Sequence, residues 1–162
     1  MTTATPTGAP ALPPCIIMVY DGNALGQQQL LNAEVLGRWP DAIFLLVAVM
    51  QEPASSAEQP AAASAFPEVE AAERAHLRFI LERGADHLRS RGLRADAVAI
   101  EGSCVDEIIR MAKTEAASLL VIAHRPEAPF SHQWWQAHVV RRLVERAPCG
   151  VLLLAAHRAA AI

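Results

Sequence analysis

The sequence predicts one α/β domain built on an open parallel β-sheet with helices on both faces. Two observations support this prediction. Short apolar runs alternate with segments of helical periodicity along most of the chain. Four of the runs are almost continuously apolar, as expected for strands that are buried on both faces. With 162 residues and 52% hydrophobic content, the chain is large enough for one sizeable core and too short for two comfortable domains.

Five segments are predicted to form the strands of this sheet. The third of them has smaller side chains and is less uniformly apolar than the others, which suits a position at the edge of the sheet. The order along the chain is a strand and a helix, repeated four times, followed by a last strand. The predicted strands are residues 15–20, 42–50, 95–100, 119–123 and 151–154.

Four segments are predicted to be helical because their apolar residues recur on one face. The first extends from an Asn23 cap to Arg38 and carries Leu31 and Val35 inward. The second spans residues 67–91 and is ended by Gly92. The third begins after Ser103, which has the spacing of a capping box with Asp106 three residues later. The fourth spans residues 133–146.

Two segments are predicted to lie outside the packed domain. Residues 1–14 are rich in Pro, Thr and Ala and have too little apolar bulk to fold, so we expect a flexible tail before a single domain at residues 15–158. Residues 51–66 contain Pro53, Pro60 and several alanines, and they exceed the usual length of a connection in such folds. We expect a mobile loop there.

Charge and cysteine usage exclude several classes of function. The net charge is −3 and the 14 Lys and Arg residues are scattered, which argues against a nucleic-acid or anionic-membrane surface. No apolar run approaches the length of a membrane span, and the first residues lack the features of a signal peptide. Three widely separated cysteines without metal-ligand spacing fit the reduced cytoplasm.

Over residues 15–154, the residues that begin, end and connect the predicted elements resemble those of the universal stress protein (UspA-like) family. Residues 16–22, ending in Tyr20-Asp21-Gly22, look like that family's opening strand and Asp-Gly turn. Further similarity lies in Glu101-Gly102-Ser103 before a helix, in the strand at residues 119–122, and in Ala147-Pro148-Cys149 before Val151-Leu152-Leu153. The resemblance implies a Rossmann-like sheet of the adenine nucleotide alpha hydrolase type, with strand order 3-2-1-4-5. It also implies a role in stress response and, often, a homodimer.

The last strand is the expected dimer contact. If this strand is the outermost one, its backbone groups and apolar side chains stay exposed unless another chain covers them. A twofold homodimer through Val151, Leu152, Leu153 and Leu154 is the simplest cover. The alternative is that residues 155–162 fold back over the edge.

The resemblance also implies where ATP would bind. Family members that hold ATP carry glycines after the fourth strand in the pattern Gly, two residues, Gly, nine residues, Gly and then Ser or Thr. Here the matching positions are Ala123, Pro126, Ala137 and His138, with one extra residue between the second and third. Glycines let backbone N–H groups turn toward phosphate, whereas proline has no N–H at all. We therefore expect ATP binding to be lost or strongly weakened, with no obligatory cofactor.

Other parts of the family's nucleotide pocket have matches here. Asp21 and Gly22 match the acidic turn near the adenosine, and Val49 and Ile122 match positions that line the base. An adenine-nucleotide site for ATP or AMP is therefore the alternative function. The same residues are also compatible with an ordinary turn and ordinary core positions.

The loop after the fourth strand has no glycine but is rich in cationic and aromatic residues. His124, Arg125, His138 and Arg141 are candidate side-chain donors to an anion. Trp134 and Trp135 are candidates for a protein docking surface or for packing under the loop. Together, the candidates for binding adenosine or another anion are Asp21, Gly22, Val49, Ile122, Ala123, His124, Arg125, Ala137, His138, Val139 and Arg141.

No pattern in the sequence recommends a metal site or a catalytic site. The histidines of the loop lack a confirming spacing, and there is no nucleophile elbow or phosphate-binding glycine loop. Cys149 follows a proline before a buried strand and is expected to be an inert thiol. Cys104 begins a helix, where a lowered pKa would depend on its exposure. We expect a protein that is not an enzyme, with weak ATPase activity as the remaining alternative.

Overall fold

Strands and helices alternate along the whole described chain. The computed structural model describes residues 13–20, 30–31, 35–50, 67–124 and 137–155. Leu30 and Leu31 are helical, and they precede the first helix bounded within the described residues. In chain order the elements are β1 (Cys15–Val19), α1 (Val35–Arg38), β2 (Ile43–Met50), α2 (Pro67–Ser90), β3 (Arg94–Glu101), α3 (Cys104–Thr114), β4 (Leu119–His124), α4 (Ala137–Arg146) and β5 (Gly150–Ala155).

The five strands form one parallel sheet in the order β3-β2-β1-β4-β5. At the centre of the sheet, Val19 of β1 lies between Val47 of β2 and Ile122 of β4. The predicted fold class and strand order are therefore confirmed. The small-residue strand β3 lies at one edge, as its composition predicted, and β5 lies at the other.

Helices cover both faces of the sheet because alternate strand residues point to opposite faces. On one face, Met18 and Phe44 pack in a cluster with Leu81 and Leu88 of α2. On the other face, Ile17 packs in a cluster with Ile108 of α3 and Leu143 of α4. Since β1 contributes only fully buried residues, the sequence of this strand must be apolar at every position.

The predicted end of the second helix is confirmed at atomic detail. Helix α2 ends at Ser90, and Gly92 adopts a φ of +81°, which L side chains rarely adopt. The N–H of Leu93 donates to the carbonyl of Leu88 at 3.1 Å, and the N–H of Gly92 donates to the carbonyl of Arg89 at 2.9 Å. These two bonds form a Schellman motif, which satisfies carbonyls at the helix end.

Several sequence predictions concern residues outside the described ranges. They include the tail up to residue 12, the loop at residues 51–66, the start of the first helix, and the docking pair Trp134 and Trp135. Leu31 is half-buried against the core, as predicted, while the side chain of Val35 is not described. Within the described ranges, no helix has the length and apolar character that a membrane crossing requires.

Candidate functional site

The strand order places the candidate site between the carboxyl ends of β1 and β4. The chain leaves β1 toward β2 on one side, whereas β4 lies on the other side of β1. Such a reversal opens a crevice at the carboxyl ends of the two central strands, and ligands of doubly wound sheets bind in that crevice. The register sets Val19 beside Ile122, so both strands reach this end of the sheet together.

The predicted pocket residues at the strand ends are buried and apolar. Val49 and Ile122 belong to the core cluster under α3 and α4, together with Val139 in the first turn of α4. Ala123 belongs to the cluster on the opposite face. We call Val49, Ile122 and Val139, which share one face of the sheet, the apolar floor, and their side chains already contact protein atoms. Their contact with a ligand stays a prediction.

The first turns of α4 expose two side chains with N–H donors, His138 and Arg141, which we call the cationic rim. Helix α4 begins at Ala137, has no acidic residue in its first turn, and exposes His138 and Arg141 one turn apart. The Nε of Arg141 donates to Oε1 of Glu145 at 2.7 Å, and this bond raises the pKa of Arg141. The remaining guanidinium N–H groups are not part of that bond, so they can donate to an anion.

The remaining candidates cannot be located in the structure. Asp21, Gly22 and Arg125 lie outside the described residues, and His124 ends β4 with an undescribed side chain. Among the residues that are described, no group of three or more His, Cys, Asp or Glu side chains is placed to hold a metal ion.

Burial raises the pKa of the two cysteine thiols near these elements. Cys104 is 3% exposed, and burial raises the pKa of its thiol to about 12. Its position at a helix start therefore does not lower the pKa, because desolvation of the thiolate dominates. Cys149 is half-buried, and burial also raises its pKa. With raised pKa values, both thiols stay protonated near neutral pH, and a protonated thiol is a poor nucleophile.

An ion pair that the sequence analysis missed links α3 to α4. Nη1 of Arg146 donates to Oδ1 of Asp106 at 2.6 Å. Arg146, and after it the Ser103 hydroxyl, lower the pKa of Asp106. Ser103 is the N-cap of α3 but makes no side-chain cap hydrogen bond, so the predicted capping box is wrong in this detail. Its hydroxyl bonds the carboxylate of Asp106 rather than a backbone N–H.

The fold defines the class, that of open, doubly wound α/β proteins, in which ligands generally bind at the carboxyl ends of parallel strands. Within that class, the chain belongs to the Universal stress protein family, whose model matches residues 15–155. The family predicted from the sequence is confirmed. A comparison with curated proteins gives no match.

Solved structures show the same fold at low sequence identity. The universal stress protein UspA from Lactobacillus plantarum is 18% identical, with a TM-score of 0.68 over 88% of this chain and 97% of that chain. A family protein from Arabidopsis thaliana with AMP bound is 17% identical, with a TM-score of 0.60 over 90% of this chain and 93% of that chain. A universal stress protein in complex with cAMP is 16% identical, with a TM-score of 0.61 over 89% of this chain and 98% of that chain.

Proposed function

We propose that this protein is a cytoplasmic, homodimeric stress-response regulator or interaction protein in which ATP binding is lost or strongly weakened. The observation that carries the proposal is the replacement of the whole glycine pattern after β4. Ala123 occupies the first glycine position and is buried in the core, and exposed His138 occupies the hydroxyl position. All three cysteines are free thiols, which supports the cytoplasmic assignment.

The replacement matters because a polyphosphate is held mainly by backbone N–H groups at a helix start. Pro126 supplies no such donor, and Pro129 nearby removes another. A hydrogen bond to a charged group contributes about 1.5–3 kcal/mol. Loss of two such bonds weakens binding by roughly two to four orders of magnitude.

ATP is accordingly expected to bind with a dissociation constant no lower than about 100 μM. Isothermal titration calorimetry of the purified protein with ATP tests this expectation. Titration with AMP shows whether the protein binds the adenosine part of a nucleotide without contacts to a triphosphate. Micromolar ATP binding, or ATP retained through purification, contradicts the proposal.

An adenine-nucleotide-binding module is the second candidate function. It is favoured by the apolar floor of Val49 and Ile122, by the cationic rim of His138 and Arg141, and by the AMP and cAMP complexes of two similar proteins. Saturable AMP binding that is weakened by Arg141→Ala supports this candidate. Phosphate release from ATP tests the weak hydrolase activity that would accompany it.

The dimer component of the proposal is supported by the exposed edge of the sheet. Strand β5 is paired only with β4 within the described residues, and Leu153 is 42% exposed. Val144 on the neighbouring α4 is also exposed. An apolar edge of this kind is a template for another strand, and a second copy of the chain covers it symmetrically.

Replacing Leu153 with aspartate should convert the dimer into monomers. The twofold axis brings two new carboxylates close to each other in an apolar contact, so we expect dimerisation to weaken at least about 100-fold. Light scattering coupled to size-exclusion chromatography measures the mass. Thr114→Asp, which adds the same charge at an exposed position of α3, is the matched control. A wild-type monomer would favour the alternative cover by residues 155–162.

A further inference from the structure

The outward face of α2 carries a stripe of residues with the spacing of a coiled-coil seam. Successive members are separated by three, four, three and four positions, so they lie in one row along the helix. Each of them is exposed, whereas Leu81, Ala85 and Leu88 on the opposite side of α2 are buried in the core. The α2 stripe consists of Val69, Ala72, His76, Phe79 and Arg83.

The two large apolar residues of the stripe are unusually accessible. Phe79 is 59% exposed and Val69 is 53% exposed, the highest values for large apolar side chains in the described ranges. They lie on the same helix face, about three turns apart, so a single elongated partner can cover both.

Beside the second half of the stripe lies a groove of about 410 Å³. Its apolar lining includes Leu31, Phe79 and Ile80, and its ionisable lining residues are His76, Arg83 and His87. No carboxylate of the described residues lines it, and the guanidinium of Arg83 lies 5.8 Å from the centre of the Phe79 ring. The groove therefore suits an apolar side chain that is flanked by carboxylates.

Such a sequence is present at the other end of the same helix. Glu68 precedes Val69, Glu73 follows it one turn later, and both flank the stripe. Neither glutamate forms an ion pair with another described residue. The start of α2 thus has the composition that its own second half is suited to bind.

The second half of α2 likewise has a basic side chain on the stripe that forms no ion pair with a described residue. Arg83, which belongs to the stripe, forms no ion pair with any described side chain. The two carboxylates in that half are already occupied, because Arg89 lies 3.7 Å from Glu82 and 2.7 Å from Asp86. Free acidic and free basic charges are therefore separated along one helix.

We propose that the α2 stripe is a self-association surface on which two copies of the chain pack their α2 helices antiparallel about a twofold axis. In this arrangement Val69 of each copy lies near Phe79 of the other, and each acidic start lies beside a basic half. A parallel pair would instead align like charges. Helix α2 contacts β3 and β2, whereas β5 is the opposite edge of the sheet, so this contact is separate from the edge-strand dimer of the proposed function.

The expected strength of the association follows from the surface area that the α2 contact can bury. Two helices in contact over the stripe bury less surface than the roughly 1,600 Å² of a standard stable interface, so the association is weak and depends on concentration. Combined with the β5 dimer, a second twofold contact links dimers into larger assemblies. Since ionic contacts contribute at the rim, salt weakens the association.

The test uses full-length protein that carries Leu153→Asp, which removes the β5 contact. Sedimentation equilibrium from about 1 μM to about 500 μM should show a monomer–dimer equilibrium. Phe79→Ala, and separately Arg83→Glu, should weaken this equilibrium at least about tenfold. Lys113→Glu on α3, an exposed change of the same charge sign, should leave it unchanged. Circular dichroism confirms that each variant is folded.

A charge-reversal mixture tests the antiparallel arrangement. A variant with Glu68→Lys and Glu73→Lys and a variant with Arg83→Glu should each be monomeric alone and form a heterodimer when mixed. Absence of any dimer in the Leu153→Asp background, or a dimer insensitive to Phe79→Ala, overturns the proposal. A stripe that binds a synthetic acidic helical peptide but no second copy overturns it as well, and it assigns the surface to another protein.

Discussion

Replacing Phe44 with alanine should lower the free energy of unfolding by about 3–5 kcal/mol. Phe44 is fully buried in β2, pairs in register with Ile16 of β1 and Ala95 of β3, and packs against α2. Removal of the ring takes away buried apolar surface and leaves a cavity that neighbouring strands cannot close without breaking their register. The measurement is urea-induced unfolding, followed by circular dichroism.

The chain offers a matched control for this substitution. Phe79 is 59% exposed on α2, so Phe79→Ala should change the free energy of unfolding by no more than about 0.5 kcal/mol. Because a domain is stable by only about 5–15 kcal/mol, the Phe44 variant loses a large share of its stability. A loss below about 1 kcal/mol at Phe44 would contradict the packing of the first core cluster.

The strands and their burial could be predicted because a two-sided parallel sheet leaves a strong signature in the sequence. Cys15–Val19 is apolar at every position since both faces of β1 are covered, and the same reason holds for most of Ile43–Met50. Strand boundaries were less accurate. Strand β3 begins at Arg94 and ends at Glu101 because Ile43 and Met50 of β2 pair with these polar residues. Pairing, rather than apolar content, sets the ends.

Contacts made by long polar side chains could not be predicted. Arg89 lies near the end of α2, and its Nε donates to the carbonyl of Ala95 at 2.8 Å while Nη2 bonds Asp96 at 3.2 Å. It thereby covers part of the open edge of β3, which limits pairing with another strand. The Arg146–Asp106 pair joins residues 40 positions apart. Neither contact follows from a local pattern, since each depends on how elements pack.

The strand order on which the candidate site depends was predictable, whereas the site itself stays a prediction. In doubly wound sheets of this order ligands bind at the carboxyl ends of the central strands, which here include Ile122. The sequence could not distinguish residues that line a ligand pocket from residues that only pack in the core, because apolar residues at strand ends serve both roles. The α2 stripe was missed because the analysis of that helix followed its buried face. The seam is found by applying the same periodicity to its exposed residues, such as Val69 and Phe79.

Rebuilding the glycine pattern after β4 should raise ATP affinity by about two to four orders of magnitude. The variant combines Ala123→Gly, Pro126→Gly, Ala137→Gly and His138→Ser with deletion of one residue between positions 126 and 137. It adds two donors to phosphate, the backbone N–H at position 126 and the hydroxyl at position 138, each worth about 1.5–3 kcal/mol, near the helix start that the phosphates would face. Calorimetric titration of the variant and the wild type with ATP measures the difference.

Two comparisons test whether such a gain in ATP affinity comes from contacts with the phosphate groups. The same variant with Pro126 retained should regain less affinity, because one donor is still missing and one hydrogen bond corresponds to roughly a 10- to 150-fold change. AMP lacks the terminal phosphates that the cradle holds, so its affinity should rise far less than that of ATP. An equal gain for both nucleotides would place the improvement at the adenosine end, near Val49 and Ile122, and would show that backbone donors were not the limiting feature. A folded variant without any gain in ATP affinity would lead to the same conclusion.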